Sequence, residues 1–248
     1  MEKYYRADAL ILRGVGYGEG NRIFTFYGRE QGKFSAVARG VLKQKSKLKG
    51  HLQLGNRCDL QLARGRGLDT VSSALATDTF PANREKADRY FYMSCFLELL
   101  NDFVPEGVAD PELFDLLCDV LHRLSEENPK QLARFYELRL LTLSGYAPDL
   151  LHCGLCGAPL NGGFISPRRD GLLCGRCGGG KAVTPKAQFA LKYLLSAEPE
   201  LVGRLKTDEE TLDLLGEVTK GLIESSLERR VKSLEVLNQL PSFVEKNK

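Results

Sequence analysis

Two Cys-X-X-Cys pairs constrain this chain more than any other feature. They are Cys153/Cys156 and Cys174/Cys177, and 17 residues separate them. Four thiolates complete the tetrahedral ligand set of Zn²⁺, and this spacing is typical of zinc sites. Because a closed Cys₄ set leaves no position for water, we expect a structural zinc ion and not a catalytic one. A thioredoxin-like redox pair and a metal-free finger are the alternatives, and the first lacks the expected βαβ surroundings.

The other three cysteines, Cys58, Cys95 and Cys118, fall on apolar faces and are predicted to be core thiols. The N-terminus has no apolar signal core, so reduced thiols and a cytoplasmic location are expected. No predominantly apolar stretch of 18 or more residues occurs, which argues against a membrane span.

The first 80 residues predict a small β-barrel. Alternating or β-branched runs favour five strands, near residues 7–12, 23–27, 34–38, 58–62 and 68–75. Glycine-rich segments at 14–20, 28–32 and 64–67 are interpreted as the connections. The pattern favours a five-stranded OB-fold, with an SH3-like barrel almost as suitable, and Phe24, Phe26 and Phe34 are expected in the core.

From Asn83 onward the apolar residues follow a helical period. Asp110, Asn128 and Thr184 each precede a proline and are predicted N-caps. Helices are predicted over 84–104, 111–125, 129–144, 185–196 and 208–239. The expected fold class is therefore α+β, with a barrel domain at 1–80 and an α-helical bundle at 81–248 that contains the zinc module at about 149–181.

Charge is distributed unevenly along the chain. Residues 1–80 carry 14 Lys+Arg against 7 Asp+Glu, whereas residues 81–248 carry 21 against 25. The densest positive segment runs from Arg39 to Lys49, and in an extended chain its four lysines would project on one side. Such a row suits a phosphate backbone, so the sequence predicts binding to a polyanion by the first domain.

Motifs for catalysis are missing from the sequence. It contains no GxxxxGK[ST] phosphate loop, no GxSxG and no zinc-deaminase pattern. Enzyme activity is therefore not predicted.

Several segments together resemble the RecO family of bacterial recombination mediators. In the N-terminal part they are Gly18–Arg22 and Gly32–Gly40. In the helical part they are Arg134–Leu141 and Gly145–Leu150, followed by the first cysteine pair. The resemblance covers nearly the whole chain, and all four cysteines are present.

The resemblance implies a DNA-binding protein of RecF-pathway repair. Such a protein binds single- and double-stranded DNA, anneals complementary strands and helps to load RecA onto strands coated by single-stranded-DNA-binding protein, with RecR as its partner. It also implies that basic OB-fold residues contact DNA, here Arg13, Arg39, Lys43, Lys45, Lys47 and Lys49. Two alternatives remain: a zinc-ribbon OB-fold adaptor in transcription or RNA metabolism, and a zinc-dependent hydrolase.

Overall fold

A computed structural model describes residues 3–165 and 171–237. The chain divides between Leu121 and His122 into two compact units. The barrel strands end at Asp78, but the first compact unit continues beyond them through further helices. The domain boundary at residue 80 therefore stays a prediction. Within the described residues, no helix is long and apolar enough to cross a bilayer.

The first unit contains a closed barrel of five strands. The strands are β1 Tyr4–Tyr17, β2 Asn21–Gly28, β3 Gly32–Ala38, β4 Arg57–Ala63 and β5 Asp69–Asp78. Their order around the barrel is β1-β2-β3-β5-β4, and β1 pairs antiparallel with both β2 and β4. Strands β3 and β5 are parallel. This arrangement confirms the predicted OB-fold barrel.

Aromatic and aliphatic side chains fill the barrel. Phe24 and Phe26 are buried, and the ring of Phe34 stacks on that of Phe26 at a centroid distance of 5.2 Å. The segment between β3 and β4 adds Val41 and Leu52 to the same core. The prediction that the three phenylalanines serve the core is therefore confirmed.

The interpretation of residues 14–20 as a glycine-rich connection is wrong. Strand β1 continues through Gly14 and Gly16 and pairs with β2 as far as Tyr17 and Asn21. A Cβ atom on Gly14 would lie 2.9 Å from Cε1 of Phe24, so glycine at this position leaves space for the Phe24 ring of the neighbouring strand β2. The true turn is short and contains Gly18 and Gly20, both with positive φ.

Three helices follow the barrel: α1 Ala82–Glu85, α2 Ala87–Phe103 and α3 Pro111–Arg123. The helix predicted over 84–104 is interrupted because Lys86 is extended. The Tyr27 hydroxyl lies 3.2 Å from the carbonyl oxygen of Asp110, and Arg29 makes a bidentate pair with Asp115. Both contacts attach α3 to the barrel.

The second unit combines helices with a small sheet. The helices are α4 Pro129–Leu143, α5 Pro185–Ser196, α6 Glu209–Leu227 and α7 Lys232–Leu237, with a 3₁₀ helix at Pro199–Arg204. The sheet has the order β7-β6-β8 and consists of β6 Gly163–Ile165, β7 Leu172–Leu173 and β8 Ala182–Val183. The Asn128 side chain caps α4 and that of Thr184 caps α5, as predicted.

The single helix predicted over 208–239 is wrong. Helix α6 ends at Leu227, and Glu228 adopts the left-handed conformation with φ of 52°. The N–H of Val231 donates to Oε1 of Glu224 at 3.0 Å, and the separate helix α7 that begins at Lys232 buries Leu234. Residues 238 and 239 lie outside the described residues.

A buried polar cluster joins α4 to α6. Nη2 of Arg134 donates to Oε1 of Glu137 at 2.9 Å, and the Thr219 hydroxyl donates to Oε2 of Glu137 at 2.5 Å. Burial raises the pKa of Glu137, whereas Arg134 and the Thr219 hydroxyl act in the opposite direction. Since all three side chains are buried, their mutual contacts replace hydration and fix how α4 packs on α6.

Candidate metal centre and nucleic-acid interface

Two similar turns carry the four cysteines. The N–H of Gly157 donates to the carbonyl oxygen of Cys153 at 2.9 Å, and the N–H of Gly178 donates to that of Cys174 at 3.0 Å. Each turn thus brings both cysteines of a pair to one side of the chain. Gly157 has a φ of 70°, which explains why glycine follows the first pair.

The four sulfur atoms converge on one point. All of them lie within 4.8 Å of one another, and Sγ of Cys156 is 3.8 Å from Sγ of Cys174. Tetrahedral zinc with Zn–S bonds of about 2.3 Å separates its sulfurs by about 3.8 Å. The cluster could therefore hold a metal ion.

Electrostatics in the cluster favour a bound cation. The pKa of Cys153 is lowered to about 6, chiefly by the backbone N–H of Cys174, which lies 3.3 Å from its sulfur. The pKa of Cys177 is raised to about 12 by the neighbouring sulfurs of Cys156 and Cys174. Four thiolates this close repel one another, and a divalent cation removes that repulsion.

His152 is adjacent to the cluster in sequence but is not part of it. Its Nδ1 lies 3.1 Å from Oδ2 of Asp149 instead. Among the described residues, the cluster that could hold a metal ion consists of the four cysteines alone.

Gln188 of α5 holds the cysteine module on the helices of the second unit. Its Oε1 accepts from the N–H of Gly162 at 2.8 Å, and its Nε2 donates to the carbonyl oxygen of Leu150 at 2.6 Å. Gln188 is buried, so a single side chain fixes both ends of the segment that carries the first cysteine pair.

The basic segment between β3 and β4 is not extended, so the period-2 argument for a one-sided row of lysines does not apply to it. The segment folds into turns, in which the N–H of Lys43 donates to the carbonyl oxygen of Gly40 at 3.1 Å and that of Ser46 donates to Lys43 at 3.0 Å. These turns carry Val41 and Leu52 into the barrel core, which an extended chain would not do. Lys43, Lys45, Lys47 and Lys49 all remain exposed.

One groove lies where OB-folds commonly bind oligonucleotides. It has a volume of about 410 Å³ and is lined by Tyr17, Asn21, Val37, Arg39 and Leu68. These residues lie at the joined ends of β1 and β2, at the end of β3 and in the β4–β5 connection, which form the usual OB-fold binding face. We call it the Arg39 groove. Tyr17 is 56% exposed and can stack on a base.

A second cavity of about 480 Å³ lies beside it, and we call it the Tyr90 cleft. Its lining consists of Ile11, Leu12, Arg13, Gly14, Arg22, Phe24, Val41, Leu42, Lys49, Leu52, Gln53, Leu54 and Tyr90. Of the predicted DNA-contacting residues, Arg13 and Lys49 line this cleft and Arg39 lines the groove. Lys43, Lys45 and Lys47 line neither.

Sequence reasoning missed Arg22 and Tyr90. Arg22 alternates with Phe24 and Phe26 on β2, so it lies on the same strand face just beyond the core. That alternation was a usable signal. Tyr90 had none, because only the packing of α2 on the barrel brings it to the cleft.

Protein contacts already occupy many of the barrel cations. Arg57 binds the Asp8 carboxylate through Nε and Nη2 at 2.9 and 2.6 Å, and Arg6 and Arg29 pair with Asp59 and Asp115. A second group has no side-chain partner within residues 3–165 and 171–237: Arg13, Arg22, Arg39, Lys43, Lys45, Lys47 and Lys49. The second group is available to phosphates.

The comparisons with known proteins agree along the whole chain. A family model described as recombination protein O N terminal matches residues 1–80, and one described as recombination protein O C terminal matches residues 84–235. The chain is similar to the DNA repair protein RecO of Pelotomaculum thermopropionicum, with 37% identity over 96% of this chain and 94% of that protein. It is 33% identical to the RecO of Heliobacterium modesticaldum over 96% of this chain and 90% of that protein. It is 31% identical to the RecO of Desulfitobacterium hafniense over 95% of this chain and 90% of that protein.

Proposed function

The chain belongs to the recombination protein O family of DNA repair proteins, and on that basis we propose that it is a non-enzymatic DNA-binding recombination mediator. It binds single- and double-stranded DNA and anneals complementary strands. It also helps to load RecA onto strands coated with single-stranded-DNA-binding protein.

One observation carries this proposal: the unpartnered cations of the barrel are concentrated around the Arg39 groove and the segment that follows it. Five of them lie between Arg39 and Lys49. Two DNA strands repel each other through their phosphates, and a basic surface lowers that repulsion by releasing counterions. Annealing by this means makes and breaks no covalent bond and needs no nucleotide hydrolysis.

We further propose that Cys153, Cys156, Cys174 and Cys177 hold a structural Zn²⁺. The tetrahedral sulfur spacing and the closed Cys₄ set support this identity. The ion's chemistry is to cross-link the two turns. Gln188 then transmits this order to α5, because it binds both ends of the first cysteine segment.

The proposed protein partners are RecR and single-stranded-DNA-binding protein, and the RecA filament is an indirect one. Helical surfaces with apolar stripes suit short partner segments, which favours the helices over the barrel for these contacts. Since the proposed ligand is DNA, the proposed location is the cytoplasm, at the nucleoid.

The test is strand annealing by the full chain on complementary oligonucleotides coated with cognate single-stranded-DNA-binding protein, with and without RecR. We expect annealing on the coated strands, altered by RecR, and weaker competition from RNA than from DNA of equal length. Equal or stronger competition by RNA, together with no annealing, would instead favour the zinc-ribbon adaptor in RNA metabolism.

A further inference from the structure

The Tyr90 cleft and the Arg39 groove share no lining residue, yet the chain connects them directly. Asn21 lines the groove and Arg22 lines the cleft. Arg39 lines the groove, and Val41 and Leu42 line the cleft. A DNA strand bound in one of the two sites can therefore continue into the other over the turn that begins at Gly40.

The lining of the cleft suits a nucleotide. Ile11, Phe24, Val41 and Leu52 are buried apolar residues, and Tyr90 is 40% exposed with a ring available at the surface. Arg13, Arg22 and Lys49 add three cations without side-chain partners in the described part of the chain. A volume of about 480 Å³ lies within the range of small-ligand sites, which combine apolar walls with a few polar groups.

We propose that the Tyr90 cleft is a second DNA subsite, which takes an unstacked base of a single strand onto the ring of Tyr90 while Arg13, Arg22 and Lys49 hold its phosphates. The proposal rests on the DNA-binding function proposed above and assigns a separate role to this cleft. The Arg39 groove lies on the usual OB-fold face, whereas the cleft is built from β1, β2, the β3–β4 segment and α2.

Lys43 lies on the path between the two sites. A Cβ on Gly40 would lie 3.4 Å from Cδ of Lys43, and one on Gly20 would lie 3.7 Å from its Cγ. The lysine stem therefore covers both glycines, and the N–H of Leu42 donates to the carbonyl oxygen of Gly20 at 3.0 Å. The Lys43 ammonium is placed to hold a phosphate between the groove and the cleft.

The subsite should favour release of the annealed duplex. A base in the middle of a duplex is paired and stacked on both faces, so it cannot lie on Tyr90 without being unpaired and extruded from the duplex. The cleft therefore favours the single strand before annealing and loses its occupant afterwards. The basic segment between β3 and β4 contacts phosphates only, so it binds single strands and duplexes alike.

The test compares an oligothymidine strand with an abasic strand of the same length, which keeps the phosphates and lacks the bases. For the full wild-type chain we expect about tenfold tighter binding to oligothymidine. Tyr90→Ala should reduce that difference and leave abasic binding unchanged, with the remainder due to stacking on Tyr17 of the Arg39 groove, and Tyr90→Phe should retain the full difference. Arg22→Ala should weaken binding to both strands by the same factor, because phosphates are common to both.

The matched control is Tyr4→Ala, because Tyr4 is an exposed tyrosine of β1 that does not line the cleft. It should keep the wild-type preference. If wild type binds both strands equally, or Tyr90→Ala keeps the full preference, the subsite is wrong while DNA binding stands. If wild type binds neither strand, the proposed function fails together with it. Unchanged thermal melting of Tyr90→Ala shows that its loss is not a folding defect.

Discussion

The two compact units carry almost the same net charge but distribute it differently. Residues 1–121 contain 17 Lys+Arg against 16 Asp+Glu, and residues 122–248 contain 18 against 16. In the second unit, Lys130, Lys181 and Lys186 pair with acidic residues of α6 or of its N-cap, and Lys220 of α6 pairs with Glu235. In the first, the cations from Arg39 to Lys49 have no side-chain partner in the described chain.

The net charge of a segment therefore does not reveal which of its charged groups a ligand can reach. The acidic surplus after residue 80 lies in residues 81–121, which belong to the same compact unit as the barrel. One of these acids, Asp115, occupies Arg29. The surface available to DNA is therefore determined by which cations are left unpaired.

Loss of the metal should destabilise the second unit strongly and leave the DNA affinity of the barrel unchanged. Cys174→Ser, or removal of the metal by a chelator, should unfold the cysteine module, because structural zinc contributes on the order of 10 kcal/mol or more near neutral pH. The barrel should keep its DNA affinity. Metal analysis measures the zinc content, thermal melting measures the stability, and a binding titration measures the DNA affinity. Well under one zinc ion per folded, unchelated chain would refute the zinc assignment.

The buried pair of the second unit should be the next most sensitive. Glu137→Ala leaves the Arg134 guanidinium buried without its carboxylate and should lower the free energy of unfolding by about 3–5 kcal/mol. Replacing both residues by leucine should recover much of that loss, because no charge is then buried. Denaturant unfolding measures both, and a single variant as stable as wild type would contradict the structural role of the pair.

The unpaired lysines should affect binding without affecting stability. Changing Lys43, Lys45, Lys47 and Lys49 to alanine should flatten the salt slope of single-strand binding by roughly 3 units, at about 0.7 per phosphate contact. The loss should be similar for two unrelated sequences, since phosphates carry no base identity.

The matched control for these lysines is the triple alanine variant of Lys181, Lys186 and Lys220, which are paired in the second unit. Its salt slope should equal that of wild type. An equal flattening in both variants would remove the distinction between the two units.

The smallest effect compares two arginines within the first unit. Arg13→Ala should flatten the slope by about 0.7 and leave thermal stability unchanged. Arg57→Ala should leave the slope unchanged and cost about 1 kcal/mol or less, because its pair with Asp8 is partly exposed. A salt series measures the slope of each variant, and a melting curve measures its stability. Equal slopes for the two variants would contradict the distinction between unpaired and paired arginines.

Much of the local structure could be predicted from the sequence. The cysteine spacing predicted that the four sulfurs cluster, the alternation on β2 placed Phe24 and Phe26 in the core, and proline after Asn128 and Thr184 marked two helix starts. These features depend on residues close together in the chain, where periodicity and capping chemistry act directly.

Which basic residues remain available to a ligand, and which aromatic ring lies beside them, depends on how the chain packs. Arg57 and Arg29 find their carboxylates 49 and 86 residues away, and Tyr90 reaches the cleft beside Arg22 through the packing of α2. The turns of the basic segment likewise follow from the burial of Val41 and Leu52 in the barrel. The physical reason is that side-chain pairing and burial depend on contacts distant in the chain, about which local periodicity carries no information.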